Sequence, residues 1–419
     1  MELLAPGGNL QKLRYAFQYG ADAVYIGLPL FSLRAKADNL EDQEETPELL
    51  AQAKGNKKVY GALNIYFHNP DLGLLKAQLE RIKPYPFDAF IVSDIGVLPI
   101  LQDYFPDREF HLSTQANCTN WSAAKMYHSM GFSRIVPGRE LSLEEIAEIK
   151  QRVPELELET FVHGAMCMSY SGRCFLSAET SQRSANRGDC AHNCRWTYRT
   201  LLEEETRPGQ FYQVESGPTP SGEYTAILSS KDLCMIDHID ALKAAGVDSI
   251  KIEGRMKSLY YTAVVTRAYR WAIDQGSSIH NPFRIDLFEV SHREYDTGFY
   301  FDRAAVNVAG TEQGYFRSHL FLGTIETPPN QAIHPEANPD SVVCNPDNLG
   351  WIQVKNSFSV DQTLEIIDPS LPHRVLEPGT FQLFDEKGKA TQRLSSERPG
   401  WILLEQPVIA GSILRKPQA

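Results

Sequence analysis

Short apolar runs recur from the start of the chain to Arg255, separated by amphipathic stretches: ELLAPGG, DAVYIGL, KVYGALNIY, AFIVSD, EFHLSTQ, RIVPGRE, ETFVHG and, after a long interval, SIKIEGR. Their β-branched character reads as strand. The stretches between carry helix punctuation. Asn9 is placed to cap a helix with Leu10, Leu13 and Phe17 on one face, and Gly20 to end it. Ser142 and Glu145 form an S-x-x-E capping box ahead of Ile146 and Ile149. Strands alternating with helices predict parallel pairing, and eight of them predict closure into a (β/α)8 TIM-like barrel, an α/β fold. No G-x-G-x-x-G follows the first run, which counts against a dinucleotide-binding sheet.

In such a barrel, chemistry sits on the carboxyl-terminal face, where strands give way to loops. Polar residues cluster at those points: Asn64, Ser93, Asp94, Ser113, Gln115, Arg139, Glu140 and His163, then Lys251, Glu253 and Arg255. Any one alone reads most simply as a cap or a loop hydrogen bond. As a set they mark a candidate site, with His163, Lys251 and Glu253 its candidate catalytic groups by strand-end position. The seventh and eighth runs are separated by an insertion from about Gly164 to Thr225, where an ordinary connection has about two to six residues. Its later half, LLEEETRPGQFYQVESGPTPSGEYTAIL, reads as a hairpin with a Pro/Gly/Ser tip. After the eighth run, Ser258 is placed to cap a helix carrying Tyr261, Val264, Val265, Ala268 and Trp271, and another helix is expected after Pro282. From about Gln313 the pattern changes to FLGTIE, SVVCN, GWIQVKN, QTLEIID, FQLFDEKG and GWILLEQPV, which predict a small antiparallel β-barrel. The expected organisation is a barrel domain over residues 1–310, with the insertion at about 164–225, and a C-terminal β-barrel domain over 311–419.

Composition narrows the function classes. The opening MELLAPGGNL lacks a basic and then long apolar secretion signal, so a cytoplasmic location is expected, with cysteines as thiols or ligands. A net charge of −12 argues against coating nucleic acid through bulk electrostatics. One region opposes that sign: from Arg173 to Arg199, Arg173, Arg183, Arg187, Arg195 and Arg199 face only Glu179 and Asp189. They read either as partners of nearby acids in a solvated loop or as a local anion-binding patch.

The same stretch holds Cys167, Cys174, Cys190 and Cys194, four of the seven cysteines, spaced C-x6-C-x15-C-x3-C. Four thiolates from one segment suit tetrahedral Zn2+ or an iron–sulfur cluster. Only one pair is close enough for a zinc knuckle, and the wide spacings suit a cluster somewhat better because its irons lie apart; unrelated buried thiols are the third reading. Cys118 and Cys344 read as packing residues, and Cys234 in SSKDLCMI is a reserve ligand. No H-E-x-x-H, G-x-S-x-G or P-loop motif occurs. A cysteine protease with His163 or His192 as base is disfavoured, because four crowded thiols invite ligation of the nucleophile.

ELLAPGGNLQKLRYAFQYGADAVYIGL, FSLRAKADNL, HLSTQANCTNW, RIVPGRELSLEEI, FVHGAMCMSYSGRCFLS, GDCAHNCRW, SSKDLCMI and SIKIEGRMKS together resemble the collagenase-like peptidase family U32 over essentially the whole chain. Within it they are most similar to a branch that hydroxylates tRNA. The resemblance implies oxygen-independent, prephenate-dependent formation of 5-hydroxyuridine at the tRNA wobble position, with a [4Fe–4S] cluster on Cys167, Cys174, Cys190 and Cys194. Other branches draw a fourth cysteine from further along, which keeps Cys234 in play. Arg173, Arg183, Arg187, Arg195 and Arg255 then become candidates for holding tRNA phosphates or the carboxylates of prephenate. Tyr170, Trp196 and Tyr198 become candidates for stacking on an unpaired base. The rival expectations are an endopeptidase, as the family name says, and a non-catalytic RNA-binding protein with a structural zinc.

Overall fold

The structure, a computed structural model, describes residues 1–28, 31–32, 45–167, 169–196, 201–203, 205–209, 211–213, 230–276, 280–302, 315–335 and 346–418. Eight parallel strands fall on the eight apolar runs: β1 (Glu2–Pro6), β2 (Ala23–Gly27), β3 (Lys58–Leu63), β4 (Ala89–Val92), β5 (Glu109–Leu112), β6 (Arg134–Ile135), β7 (Glu157–Ala165) and β8 (Ser249–Ile252). They pair in sequence order. Strand β8 then pairs with both neighbours, Ile250 opposite Leu3 of β1 and Ser249 opposite Glu159 of β7, which closes the sheet into the expected barrel.

Local sequence sets the connections. Asn9 accepts from the Lys12 amide at 2.9 Å and starts the helix Leu10–Gln18, and Gly20, at φ +104°, lets the chain leave it. Ser142 and Glu145 make the reciprocal capping box. Ser258 caps Leu259–Gln275, and the helix expected after Pro282 is a single turn, Asp286–Glu289. The inserted segment returns along the strand it left: Asp232–Cys234 runs antiparallel to the end of β7, with Cys234 opposite His163. Within the insertion, Leu201–Glu203 pairs with Phe211–Gln213 as a hairpin, while its SGPTPSG stretch lies outside the described residues.

The second unit is an antiparallel sheet of eight strands curved into a half-barrel, beside a short pair, Phe358–Ser359 with Arg393–Leu394. Strand alternation sends Ile352 and Ile402 to its main core and Trp351 and Trp401 to a second aromatic cluster. The SVVCN run with Cys344 and the expected boundary at 310/311 lie outside the described residues. The sheet docks on Leu259–Gln275, most of whose residues are buried. Tyr260 stacks on Phe321 at 5.8 Å, and the wholly buried Arg415 meets Glu289 at 2.6 Å, Glu365 at 2.7 Å, Asp286 at 3.2 Å and the Tyr260 hydroxyl at 2.8 Å. Among the described residues no helix is long and apolar enough to cross a membrane.

Candidate active site

The carboxyl-terminal ends of the strands converge on a narrow pocket. Tyr25 of β2, Ile91 of β4, Phe161 of β7 and Lys251 of β8 form its inner wall, and Asn64, Gln115, Arg139, Glu253 and Arg255, all strand-end residues, form its polar rim. Arg139 is held with its guanidinium 3.8 Å from the Phe161 ring centroid while it donates to the Ala165 carbonyl at 2.7 Å. Arg255 lies 5.7 Å from the Tyr25 ring centroid and donates to Ser32. Lys251 sits 4.6 Å from the same ring and donates to Glu159 at 2.8 Å. Among the described residues that line it, three cations stand against one carboxylate, that of Glu253, which gives this wall a positive bias inside an acidic protein.

A second charged layer lies below it. The Glu159 carboxylate, with no exposure to solvent, also receives Arg134 at 3.0 Å and Ser249 at 3.1 Å, and Arg134 reaches Glu2 and Glu157. Burial opposes ionisation of Glu159, but Lys251 and Arg134 outweigh it and hold the carboxyl down at about 2. Burial likewise pushes the Lys251 ammonium below its usual range, and Glu159 works against that push. Glu159 was the residue the strand-end reading missed. The sequence signal was present, because Glu157, Glu159 and Phe161 alternate along one face of β7, and a charge facing into a barrel demands a partner.

The cysteine segment lies over this mouth. Gly164, at φ +106°, bends the end of β7 so closely past β8 that a Cβ would stand 2.6 Å from the Glu253 carbonyl. Gly172, at φ +72°, presses the segment's first turn against the rim, where a Cβ would stand 2.1 Å from the Gln115 carbonyl. Serine and asparagine hydrogen bonds hold the rest. The Ala191 amide donates to Ser177 at 2.9 Å, Asn186 donates to the Cys174 carbonyl at 3.2 Å, and the His192 amide points at the Cys190 sulfur at 3.4 Å. Cys167 is exposed and Cys174, Cys190 and Cys194 are half-buried. Burial raises the Cys194 thiol, with Arg195 pulling it down and Cys167 and Cys190 pushing it further up, so these thiols share one electrostatic neighbourhood. For Arg195, burial disfavours the charge, but Tyr315, Cys167, Glu253 and Cys194 together raise it above the usual value. Arg195 thus links the thiols to the pocket rim, and it donates to the Tyr315 hydroxyl at 3.1 Å.

The other sequence candidates separate by position. Arg187 gives both terminal nitrogens to Asp71, at 2.8 and 2.9 Å, and Arg183 pairs with Asp189 at 2.9 Å and donates to the Cys190 carbonyl at 3.3 Å. Both anchor the segment rather than face outward. Arg173 is exposed, 3.5 Å from the Tyr66 hydroxyl; Tyr170 and Phe175 flank it in sequence and Trp196 stands at the far end of the segment, all with 47% or more of their surface open. Tyr198 and Arg199 lie outside the described residues.

His163 is not at the mouth. Its imidazole is buried on the outer side of β7, between the hydroxyls of Tyr269 at 3.3 Å and Tyr295 at 3.2 Å, and burial pushes it down to about 3. A neutral ring engaged at both nitrogens and absent from the pocket lining supports packing, which corrects the strand-end assignment of this residue to catalysis. Cys234 belongs to the same cage. Its sulfur lies 3.9 Å from the Tyr269 hydroxyl, and burial raises the thiol to about 11. Cys118, buried and also raised to about 11 by burial, packs in the core as expected.

The fold and site define a class: a (β/α)8 barrel with a cation-lined mouth overlaid by a four-cysteine segment and a half-barrel docked on its last helix. The sequence profile of peptidase family U32 matches residues 8–309, and the chain belongs to that family. The chain is 37% identical over 417 residues to tRNA hydroxylation protein P of Escherichia coli (strain K12), covering 88% of this chain and 86% of that protein. It is 36% identical over 275 residues to the 23S rRNA 5-hydroxycytidine C2501 synthase of the same strain, covering 65% of this chain and 39% of that protein. It is also 31% identical over 285 residues to a collagenase of Porphyromonas gingivalis (strain ATCC BAA-308 / W83), covering 65% of each.

Proposed function

We propose that the protein is an RNA hydroxylase acting on tRNA in the cytoplasm, and that it forms 5-hydroxyuridine at the wobble position with prephenate as co-substrate. The observation that carries the reading is the stacking of the four-cysteine segment on a cation-lined barrel pocket, with Gly172 against the Gln115 carbonyl and the Arg139 amide donating to Ser171 at 3.3 Å. The relatives named for tRNA hydroxylation and for rRNA hydroxycytidine synthesis support the same chemistry.

Cys167, Cys174, Cys190 and Cys194 fit a [4Fe–4S] cluster by donor type, by the amide N–H directed at Cys190 and by the cation beside Cys194. When bound, such a cluster would relay single electrons, the chemistry on which oxidation of an inert pyrimidine C5–H draws because acid–base chemistry alone does not reach it. Arg139, Lys251 and Arg255 bind and orient the two carboxylates of prephenate, and Glu253 is the group at the rim able to take a proton. Arg173 and the exposed aromatics Tyr170 and Trp196 receive the RNA by phosphate contact and base stacking.

The deciding experiment is mass analysis of tRNA nucleosides from a deletion strain lacking redundant pathways, complemented with the wild-type chain. Restoration of 5-hydroxyuridine is expected; tRNA unchanged by the complement sinks the reading. The collagenase among the relatives makes peptide cleavage the competing reading. Collagen degraded by wild type and spared by Lys251→Met and Cys174→Ser would favour it.

A further inference from the structure

Lys251 would not keep its charge unaided. It is 4% exposed, lies over the rings of Tyr25 and Phe161 at 4.6 and 5.4 Å, and has Arg255 on its own strand end and Arg134 below it. Burial and two like charges all favour the neutral amine. One fully buried carboxylate opposes them, with one oxygen 2.8 Å from Lys251 Nζ and the other 3.0 Å from Arg134 and 3.1 Å from Ser249. Of the remaining charged groups at the pocket, Glu253 follows Lys251 on the same strand end and Arg139 comes from the end of β6, and both stand at the rim, while the buried His111 of β5 faces the Glu159 layer from below.

We propose that Glu159 is the positioning residue of the mouth: it fixes Lys251 as an ammonium aimed into the pocket, and so sets the pocket's affinity for carboxylate ligands from a layer that no ligand touches. The role of the pocket rests on the function proposed above, whereas the Glu159–Lys251 coupling stands on the geometry alone. Arg134, tied in turn to Glu2 and Glu157, keeps the Glu159 carboxylate ionised and in place. The charge state of the site is therefore determined one side-chain layer beneath it, along the barrel axis.

The test is 15N NMR of the lysine Nζ groups, with the Lys251 signal assigned through Lys251→Met, together with prephenate calorimetry between pH 6 and 9. Wild-type Lys251 is expected to remain an ammonium across that range. In Glu159→Gln its midpoint should fall by about three units, into that range, and prephenate binding should weaken about tenfold at pH 8 and recover toward pH 6. Lys251→Met should weaken binding at every pH, with Glu159→Gln adding nothing on that background. A neutral Lys251 in the wild-type protein at pH 8 overturns the proposal even if Glu159→Gln does not fold, and so does a Glu159→Gln titration identical to wild type. If the titrations differ as expected but wild type does not bind prephenate, the ligand assigned to the pocket is wrong and the positioning role of Glu159 stands.

Discussion

The pocket and the cysteine segment face each other across a few ångströms, and they are built in opposite ways. The pocket is made by strand ends, its cations already seated on rings and carboxylates, so its geometry is inherited from the barrel's hydrogen-bonded ladders. The segment has one six-residue helix, two single-turn helices and few buried side chains. Its described contacts are glycine-enabled close approaches, hydrogen bonds from short polar side chains and the Arg183 and Arg187 ion pairs. The lesson is a division of labour: the barrel pre-orders the cations of the pocket, while the segment leaves its thiols to the cluster proposed for them.

The sharpest way to break this contrast is to remove a thiol. Cys174→Ser should reduce bound iron and acid-labile sulfide to background and abolish tRNA hydroxylation, whereas Cys234→Ser should retain both; equal loss in the two variants would place Cys234 among the ligands. Next, Lys251→Met should lower hydroxylation about a hundredfold with iron content unchanged, since a charge-assisted contact to the reacting partner is worth about 2–3 kcal/mol. Loss of iron in that variant would show that the two regions are not separable.

A third test uses pH. His163 is held down at about 3 in the folded protein, and an unfolded histidine titrates near 6.5. Below 6.5 the unfolded chain binds a proton that the folded chain does not, so stability falls as pH drops, by about 1.4 kcal/mol per unit until pH approaches 3. Denaturant titrations from pH 7 to 5 should show that slope shallower by about this amount in His163→Phe; an unchanged slope means the ring is not neutral in the cage. The smallest effect is expected from Arg187→Ala. Its pair with Asp71 is partly exposed, so global stability should change by less than about 1 kcal/mol. Proteolysis within residues 170–196 should nevertheless become faster, and unchanged cleavage would deny Arg187 its anchoring role.

The barrel was legible because its signals are periodic and local: eight apolar runs, the Asn9 and Ser142 caps, and polar residues at strand ends. The pocket was legible for the same reason, since Lys251 lies on β8, Glu253 directly follows it, and Arg139 and Arg255 stand a few residues past β6 and β8. What the sequence does not carry is the direction of a side chain after an irregularity. Strand β7 shifts register against β8 between Lys251 and Ile252, which turns His163 outward into the tyrosine cage although Phe161 faces the pocket. Long-range charge pairing was equally hidden. Arg187 read as a substrate contact until Asp71, on a distant helix, turned out to hold it. The strand Asp232–Cys234 joins β7 in reverse, an outcome that loop length alone does not specify.

Arg415 gives the docked half-barrel a consequence in time as well as in space. Asp286 and Glu289 follow the barrel's last long helix, and the cation that neutralises them sits on the strand Ile413–Pro417, near the end of the sheet. During synthesis the barrel strands leave the ribosome first and can close, with Arg267 of the long helix already paired to Asp286. Glu289 gains Arg415 only after the strand Ile413–Pro417 emerges, so the docking of the two units is completed late in synthesis.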